Sequence, residues 1–488
     1  MAEFDLVLRG GRVATAEAVV TADIGIVGEQ VAAVGRDLGP GREELPLDGA
    51  IVTPGGVDSH CHIEQLAATG LRNADTFESA TRAALMGGTT TVIPFAAQHR
   101  GDSLRAVVDD YHRRARRGAL ADYAFHMILT DPRPEVLERE LPPLVRSGHS
   151  SLKVYLTYER LRVDDEQLLE VLAAARRHRC LVCVHAENHG MIAWLKRRLV
   201  ARGHRAPRFH GVSHPRLGEA EAVYRVAAMS ALLDQPVMIF HLSCREGVEE
   251  VRRARARGVK LFAETCTQYL LLDECETHRP GVEGAMWMCS PPLRAERDRE
   301  ALWRALEEGV LDCVSSDHAP YRMDETGKLA RGPHAGFHEI ANGLPGIELR
   351  MPLLFDAMVQ GGRLDLCRFV ALTCTAPARI YGLHPKKGTI VAGADADLVV
   401  WDAERTVTIA PGPRHDNAGY TPYAGRSVRG WPRLVFLRGR LVVEEGRLLA
   451  EPGSGRFLPR SGGEAAAPRG RTAAELDPER NGGARLLD

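Results

Sequence analysis

The sequence predicts an α/β protein: a (β/α)8 TIM barrel carrying a small β-sandwich built from both ends of the chain. Three observations point there. The central stretch alternates apolar strand-like runs with helical segments eight times. The predicted strand ends carry several His, one Lys and one Asp, on the side where barrel enzymes hold their chemistry. The two chain ends read instead as short strands with Gly turns, too small to stand without a sheet to join. A doubly wound open sheet is the competing architecture, and the count of eight favours the barrel.

In order, Asp5–Val13, Ala22–Gly28 and Val31–Gly35 read as strands of the small domain, with matching pieces at Ala396–Asp402, Thr406–Ile409 and Arg433–Val443. Chain termini often lie close together, so residues 1–53 and 386–460 are expected to form one sandwich interrupted by the barrel, 54–385. Residues 461–488, rich in Gly, Ala, Pro, Arg and Glu without periodicity, are expected to be a flexible tail. The barrel strands are placed at Gly56–His62, Thr89–Phe95, Tyr123–Leu129, Ser151–Leu156, Cys180–His185, Val237–Leu242, Lys260–Thr265 and Asp312–Asp317. Helices are expected between them, among others over Thr76–Leu85, Leu104–Arg117, Asp165–His178, Glu219–Leu232 and Glu246–Arg257.

Composition narrows the partners. The 488 residues are 44% hydrophobic and 26% charged, enough for one large barrel plus a smaller domain. Lys+Arg of 63 against Asp+Glu of 64 leaves a net charge of -1, with no basic excess to favour nucleic acid or an anionic membrane. A small-molecule partner is expected. The opening Met-Ala-Glu-Phe-Asp carries acids where a secretory signal carries Lys or Arg, and no apolar stretch is long enough to span a bilayer. A cytoplasmic location follows as the expectation. The ten cysteines fall mostly inside apolar strands, as small buried hydrophobes do in a reducing compartment. Cys180-Leu-Val-Cys183 matches a C-x-x-C pattern, but residues three apart on a strand face opposite sides.

The first barrel strand ends in His60-Cys61-His62. Alternation puts both imidazoles on one face, and a strand end is a rigid support for metal ligands. A lone His-X-His is weak. The other strand ends add Lys153, His185, His241 and Asp317, any one of which could be a satisfied buried residue or a helix cap. Together they point to metal-assisted hydrolysis.

These residues and their surroundings resemble the dihydropyrimidinase/D-hydantoinase family, cyclic amidases of the amidohydrolase superfamily. The resemblance covers residues 1 to about 460 and rests on Pro54–Gln65, Ser151–Tyr155, Val184–Asn188, Glu264–Leu270, Cys289–Pro292, Ser315–Pro320, Ala341–Ile347 and Lys387–Asp397. It implies two divalent ions per chain, zinc being the usual metal. His60, His62 and Asp317 would hold one ion and His185 and His241 the other, with Lys153 bridging them as a carbamate, N6-carboxylysine. The modification has a physical reason, since a protonated lysine has no lone pair for a metal and would repel a dication. The other role open to Lys153 is a salt bridge near the barrel rim.

The resemblance further implies a hydrolase that opens 5,6-dihydropyrimidines or 5-substituted hydantoins to N-carbamoyl amino acids. Asp317 would act as base and then acid, and Tyr155 would bind substrate and donate to the developing oxyanion. Ser290 and Asn342 would hold the ring, largely through backbone atoms. Tyr155 could instead pack at the barrel mouth, and Ser290 and Asn342 could be loop-formers beside Pro291 and Gly343. A cyclic imidase or allantoinase on the same site is the alternative activity, and a non-catalytic scaffold relative is disfavoured because all six ligands are retained.

Glu64 stands where related dihydroorotases place an Arg for the substrate carboxylate, which disfavours dihydroorotate unless Glu64 is a solvated loop residue. Glu187 and Asn188 are expected to orient His185, and His318 to face away from Asp317. Substrate choice is expected in the loops Glu64–Asp75 and Tyr155–Asp165. The segment His415–Gly425, with Tyr420 and Tyr423, resembles a stretch near the family's subunit contact, and the resemblance implies a homo-oligomer, a homotetramer.

Overall fold

A computed structural model describes residues 2–67 and 69–487. Met1 of the predicted sandwich, Ala68 of the loop after the first barrel strand and Asp488 of the predicted tail lie outside the described residues. The chain opens with β1 (Phe4–Ala14), β2 (Val19–Val27), β3 (Gln30–Gly35), β4 (Gly41–Pro46) and β5 (Ile51–Pro54). The barrel follows as β6 (Gly56–Cys61), β7 (Thr89–Ala97), β8 (Asp122–Tyr123), β9 (His126–Ile128), β10 (Ser151–Tyr155), β11 (Leu181–His185), β12 (Val237–Ile239), β13 (Leu261–Cys266) and β14 (Cys313–Ser315). The far end adds β15 (Leu398–Thr408), β16 (Ser427–Leu437), β17 (Arg440–Glu444) and β18 (Arg447–Leu448).

The two chain ends join in one mixed sheet, ordered β18-β17-β16-β15-β5-β1-β2-β3, with β4 on β1. The seam is the antiparallel pair β5–β15, from Ile51 opposite Trp401 to Pro54 opposite Leu398. Alternation along β15 explains why four successive apolar residues are buried there. Leu398 and Val400 enter the sheet's own core with Ile24, Ile26 and Phe436. Val399 and Trp401 face the barrel core instead, where the Trp401 ring stacks 4.3 Å from that of Phe355.

All eight predicted barrel positions are strands, the third being split into β8 and β9, which both pair with β7. The pairing is parallel throughout and closes where the Cys61–His318 bridge forms and the His62 amide donates to the His318 carbonyl at 2.7 Å. Strands β6, β7, β10 and β11 are buried on both faces along their whole length, polar residues included. Helices cover the outside at Phe77–Met86, Leu104–Gly118, Asp165–His178, Arg216–Leu233 and Arg245–Ala256. Away from the site, Lys387 ties the terminal sheet to the barrel, with its Nζ 2.7 Å from Asp122, 2.9 Å from Asp395 and 2.8 Å from Asp397. A buried ammonium is tolerated there because it is paired.

The predicted tail runs along the barrel. Lys260 Nζ donates to the Ala467 carbonyl at 3.0 Å, and the amides of Arg469 and Arg471 donate to Asp234 at 3.1 and 2.9 Å. Ala466 is buried in the main core, and Ala465 and Leu476 pack against it, so apolar contacts add to these backbone hydrogen bonds. Cys180 and Cys183 are both buried and free. Among the described residues no helix is long and apolar enough to cross a membrane.

Candidate metal centre and substrate cavity

The barrel register collects the functional side chains at one end. Lys153 and Tyr155 share the inner face of β10, and parallel pairing sets Tyr155 opposite His185 on β11. His60 lies within β6 and His62 just beyond it, while His241 and Asp317 follow β12 and β14. His241 and Asp317 have φ of 43° and 45°, a left-handed conformation that non-glycine residues seldom adopt and that clusters at functional sites.

Three ligand atoms converge first. His60 Nε2 and His62 Nε2 each lie 3.2 Å from Asp317 Oδ1. The outer nitrogens are occupied: His60 Nδ1 is 2.5 Å from Glu264 Oε1, and His62 Nδ1 is 2.6 Å from Gln65 Oε1. Those partners can only accept, so each Nδ1 carries the proton and each Nε2 turns its lone pair inward. His60, His62 and Asp317 could therefore hold a metal ion, their donor atoms lying within 4.8 Å of one another. Burial works against charge on His60, but Asp317 and Glu264 outweigh it and raise its pKa. Burial would raise the Asp317 carboxyl, yet His60 and His62 hold it well below the usual range.

A second group faces the first. The His185 and His241 rings lie 4.4 Å apart, and His241 is 5.3 Å from His60. His185 Nε2 bonds Glu187 Oε2 at 2.7 Å, which leaves the Nδ1 lone pair free for a metal. Burial drives both imidazoles well below their ordinary pKa, keeping them neutral as ligands must be. His241 Nδ1 and Lys153 Nζ are buried without a hydrogen-bond partner. Lys153 Nζ sits 4.2 Å from the Phe240 ring centre, and burial lowers its pKa to about 8. Converging imidazoles, a carboxylate and two orphaned buried nitrogens fit a metal-bearing group better than they fit an empty core.

All nine predicted site residues line one cavity of about 380 Å³. Ser290 Oγ is 3.1 Å from His210 Nε2, and Tyr158 hydrogen-bonds Ser290 from the opposite loop. Asn342 has a buried, unpartnered Oδ1. Its neighbour Gly343 passes so close to the chain that an added Cβ would meet Ala319 O at 2.3 Å, which explains the glycine. Gln65 also bonds the Tyr155 hydroxyl, coupling the first cluster to the predicted oxyanion donor. Both expected loops reach the cavity, through Gln65, Ala67 and Thr69 and through Thr157, Tyr158 and Leu161.

Two expectations need correction. Glu64 has φ of 50° and turns away: its Oε1 accepts from the Phe77 amide at 3.0 Å, and Arg114 stands beside it in a separate cavity. It caps a helix, so it offers no repulsion to a substrate carboxylate. Asn188 does not touch His185 either, since its Oδ1 caps the helix His189–Ala201 and its amide donates to Glu221. His318 does face away, onto Asp75 at 2.7 Å. The His415–Gly425 segment folds over the barrel, with Tyr420 and Tyr423 buried and the Pro422 carbonyl bonded by Trp287.

Glu264 and Gln65 are site residues that the sequence reading missed. Glu264 is fully buried in a largely apolar strand, and a carboxylate there must have a partner. Glu264→Gln keeps the shape but weakens the acceptor that orients His60. Metal affinity is expected to fall by roughly tenfold or more, read as metal retained against a graded chelator. Unchanged retention would reduce Glu264 to a filler.

Comparisons with known proteins agree with this geometry. Residues 51–442 match the model of the amidohydrolase family. A D-hydantoinase of Rhizobium radiobacter is 40% identical over 457 residues, covering 93% of this chain and 99% of that one. A solved D-hydantoinase structure superposes with a TM-score of 0.90 at 40% identity, over 94% of this chain and 99% of the other. The dihydropyrimidinase of Brevibacillus agri does so with a TM-score of 0.90 at 37% identity, over 93% and 98%.

Proposed function

The chain belongs to the amidohydrolase family, and from that premise we propose that it is a binuclear-metal hydrolase opening cyclic amides to N-carbamoyl amino acids. The ring substrates are 5,6-dihydropyrimidines such as dihydrouracil, or 5-substituted hydantoins. The names of the similar proteins support this reading over a cyclic imidase or allantoinase. The observation that carries it is Lys153, an amine without a partner among imidazoles in the barrel's interior.

Burial that lowers Lys153 to about 8 leaves roughly a tenth of it neutral at pH 7, against well under a thousandth at the ordinary value of 10.5. The neutral Nζ lone pair can attack the carbon of CO2 and release a proton, giving a carbamate of charge -1. His60, His62 and Asp317 would hold one ion, His185 and His241 the other, and the two carbamate oxygens would serve both. Two divalent ions, zinc in the family pattern, would lower the pKa of bound water and polarise the carbonyl to be attacked.

The chain's own residues do the rest. Asp317, held ionised by His60 and His62, accepts the nucleophile's proton and returns it to the departing ring nitrogen. Gln65 spends its carbonyl on His62, so its amide meets the Tyr155 oxygen and leaves that hydroxyl's proton for the developing oxyanion. Ser290 and Asn342 line the same cavity and offer alternating donors and acceptors to the ring's N–H and C=O edge. A homotetramer and a cytoplasmic location complete the proposal from the family pattern.

An assay panel tests it: dihydrouracil, hydantoin, a phenyl-substituted hydantoin, succinimide, allantoin and dihydroorotate, each followed by loss of ring absorbance. Opening of hydantoin or dihydrouracil is expected, with about two ions per chain by metal analysis. A fully active metal-free enzyme, or activity confined to succinimide, allantoin or dihydroorotate, would overturn the reading.

A further inference from the structure

The helix His189–Ala201 presents His189, Ile192, Ala193, Lys196 and Arg197 to the cavity, spaced i, i+3, i+4, i+7 and i+8 along one face. That stripe starts four residues after His185 and spans just over two turns, about 12 Å at the helical rise. The cavity therefore continues well past the ring's expected place. Lys196 lies toward the far end of this wall, half-buried, and among the described residues its ammonium has no carboxylate partner.

The groups nearest Lys196 in the cavity are mostly imidazoles, and Glu339, beside His338, is paired with Arg205 at 2.8 Å. The Lys196 charge bears on His189, His210, His214 and His338, all cavity-lining, whereas Lys153 acts on His185 and His241. The two lysines thus serve different parts of the cavity. Two carboxylates line it: Asp317 belongs to the metal set, and Glu159 is largely exposed and spent on His189 at 3.0 Å. A cation drawn out of water without a counter-ion is costly, and a ligand's anion would offset that cost. Ile192 and Ala193 beside it suit a short run of methylenes.

We propose that Lys196 receives a carboxylate at the end of the substrate's exocyclic substituent. The preferred substrates are then cyclic amides with a short acidic side chain, and ring opening, which adds one water across the C–N bond, yields the N-carbamoyl derivative of an acidic amino acid. This assignment rests on the hydrolase reading above.

The test uses the metal-loaded enzyme with unsubstituted hydantoin, 5-(2-carboxyethyl)hydantoin and the neutral isostere 5-(2-carbamoylethyl)hydantoin. The acid's kcat/KM is expected to exceed the amide's by at least about tenfold, mainly through KM, and to lose that lead as salt rises. Lys196→Met should bring the acid-to-amide ratio close to one, and Lys196→Arg should keep most of it. Because the ratio is taken within each protein, partial loss of folded variant cancels. Equal kcat/KM for acid and amide, or a ratio that Lys196→Met leaves unchanged, would overturn the role of Lys196 while hydantoin opening still stood. Failure to open any of the three would overturn the hydrolase reading and this one with it.

Discussion

Lys153→Ala is expected to lower kcat/KM on hydantoin by roughly a thousandfold or more and to reduce bound metal to one ion or fewer per chain. The reason lies in what the site becomes without the side chain. Lys153 Nζ makes no hydrogen bond to another protein group, so its removal breaks no polar contact within the chain. What is lost, among the described residues lining the cavity, is the proposed carbamate that would place two oxygens between the His60–His62–Asp317 set and the His185–His241 pair. Acetate or propionate, supplied at high concentration, should enter the vacated space and restore part of the activity. Lys153→Arg should not be rescued by CO2, because a guanidinium stays protonated even when buried. Undiminished turnover in Lys153→Ala would remove the carbamate from the account.

The fold was legible because its pattern is periodic. Period-two alternation placed Lys153 and Tyr155 on one inner face and His60 with His62 on another, and eight strand–helix alternations led to the barrel. Legibility stopped where direction is set by a turn. Alternation beyond β6 does not carry to Glu64, whose left-handed φ swings the carboxylate to the Phe77 amide. Gln65 has no periodic signature at all, although it sits three residues after His62 and bonds it. Glu264 was different, since a charged residue inside Leu261–Cys266 was a visible anomaly whose partner, 204 positions away, only the closed barrel could supply. The helix His189–Ala201 after β11 was not singled out at all. Nothing in its residue types marks a cavity-facing side, and only the packed structure turns part of one face, Lys196 included, into a cavity wall.

Asp317→Asn is expected to cut kcat on hydantoin by roughly a thousandfold while changing KM much less. Asparagine keeps the volume and one oxygen beside His60 and His62, but it cannot accept and return a proton. Two roles must be separated, because the same carboxylate is proposed both to hold an ion and to move the proton. Loss of the anion should also lower the His60 pKa, since Asp317 is the first of the two carboxylates that offset its burial. A more readily neutral His60 partly compensates as a ligand, so the site should refill when metal is added in excess. Measured at full metal occupancy, kcat should therefore stay low, which isolates proton transfer from metal holding. Recovery to within about tenfold of the unmodified enzyme under those conditions would confine Asp317 to holding metal and require another base.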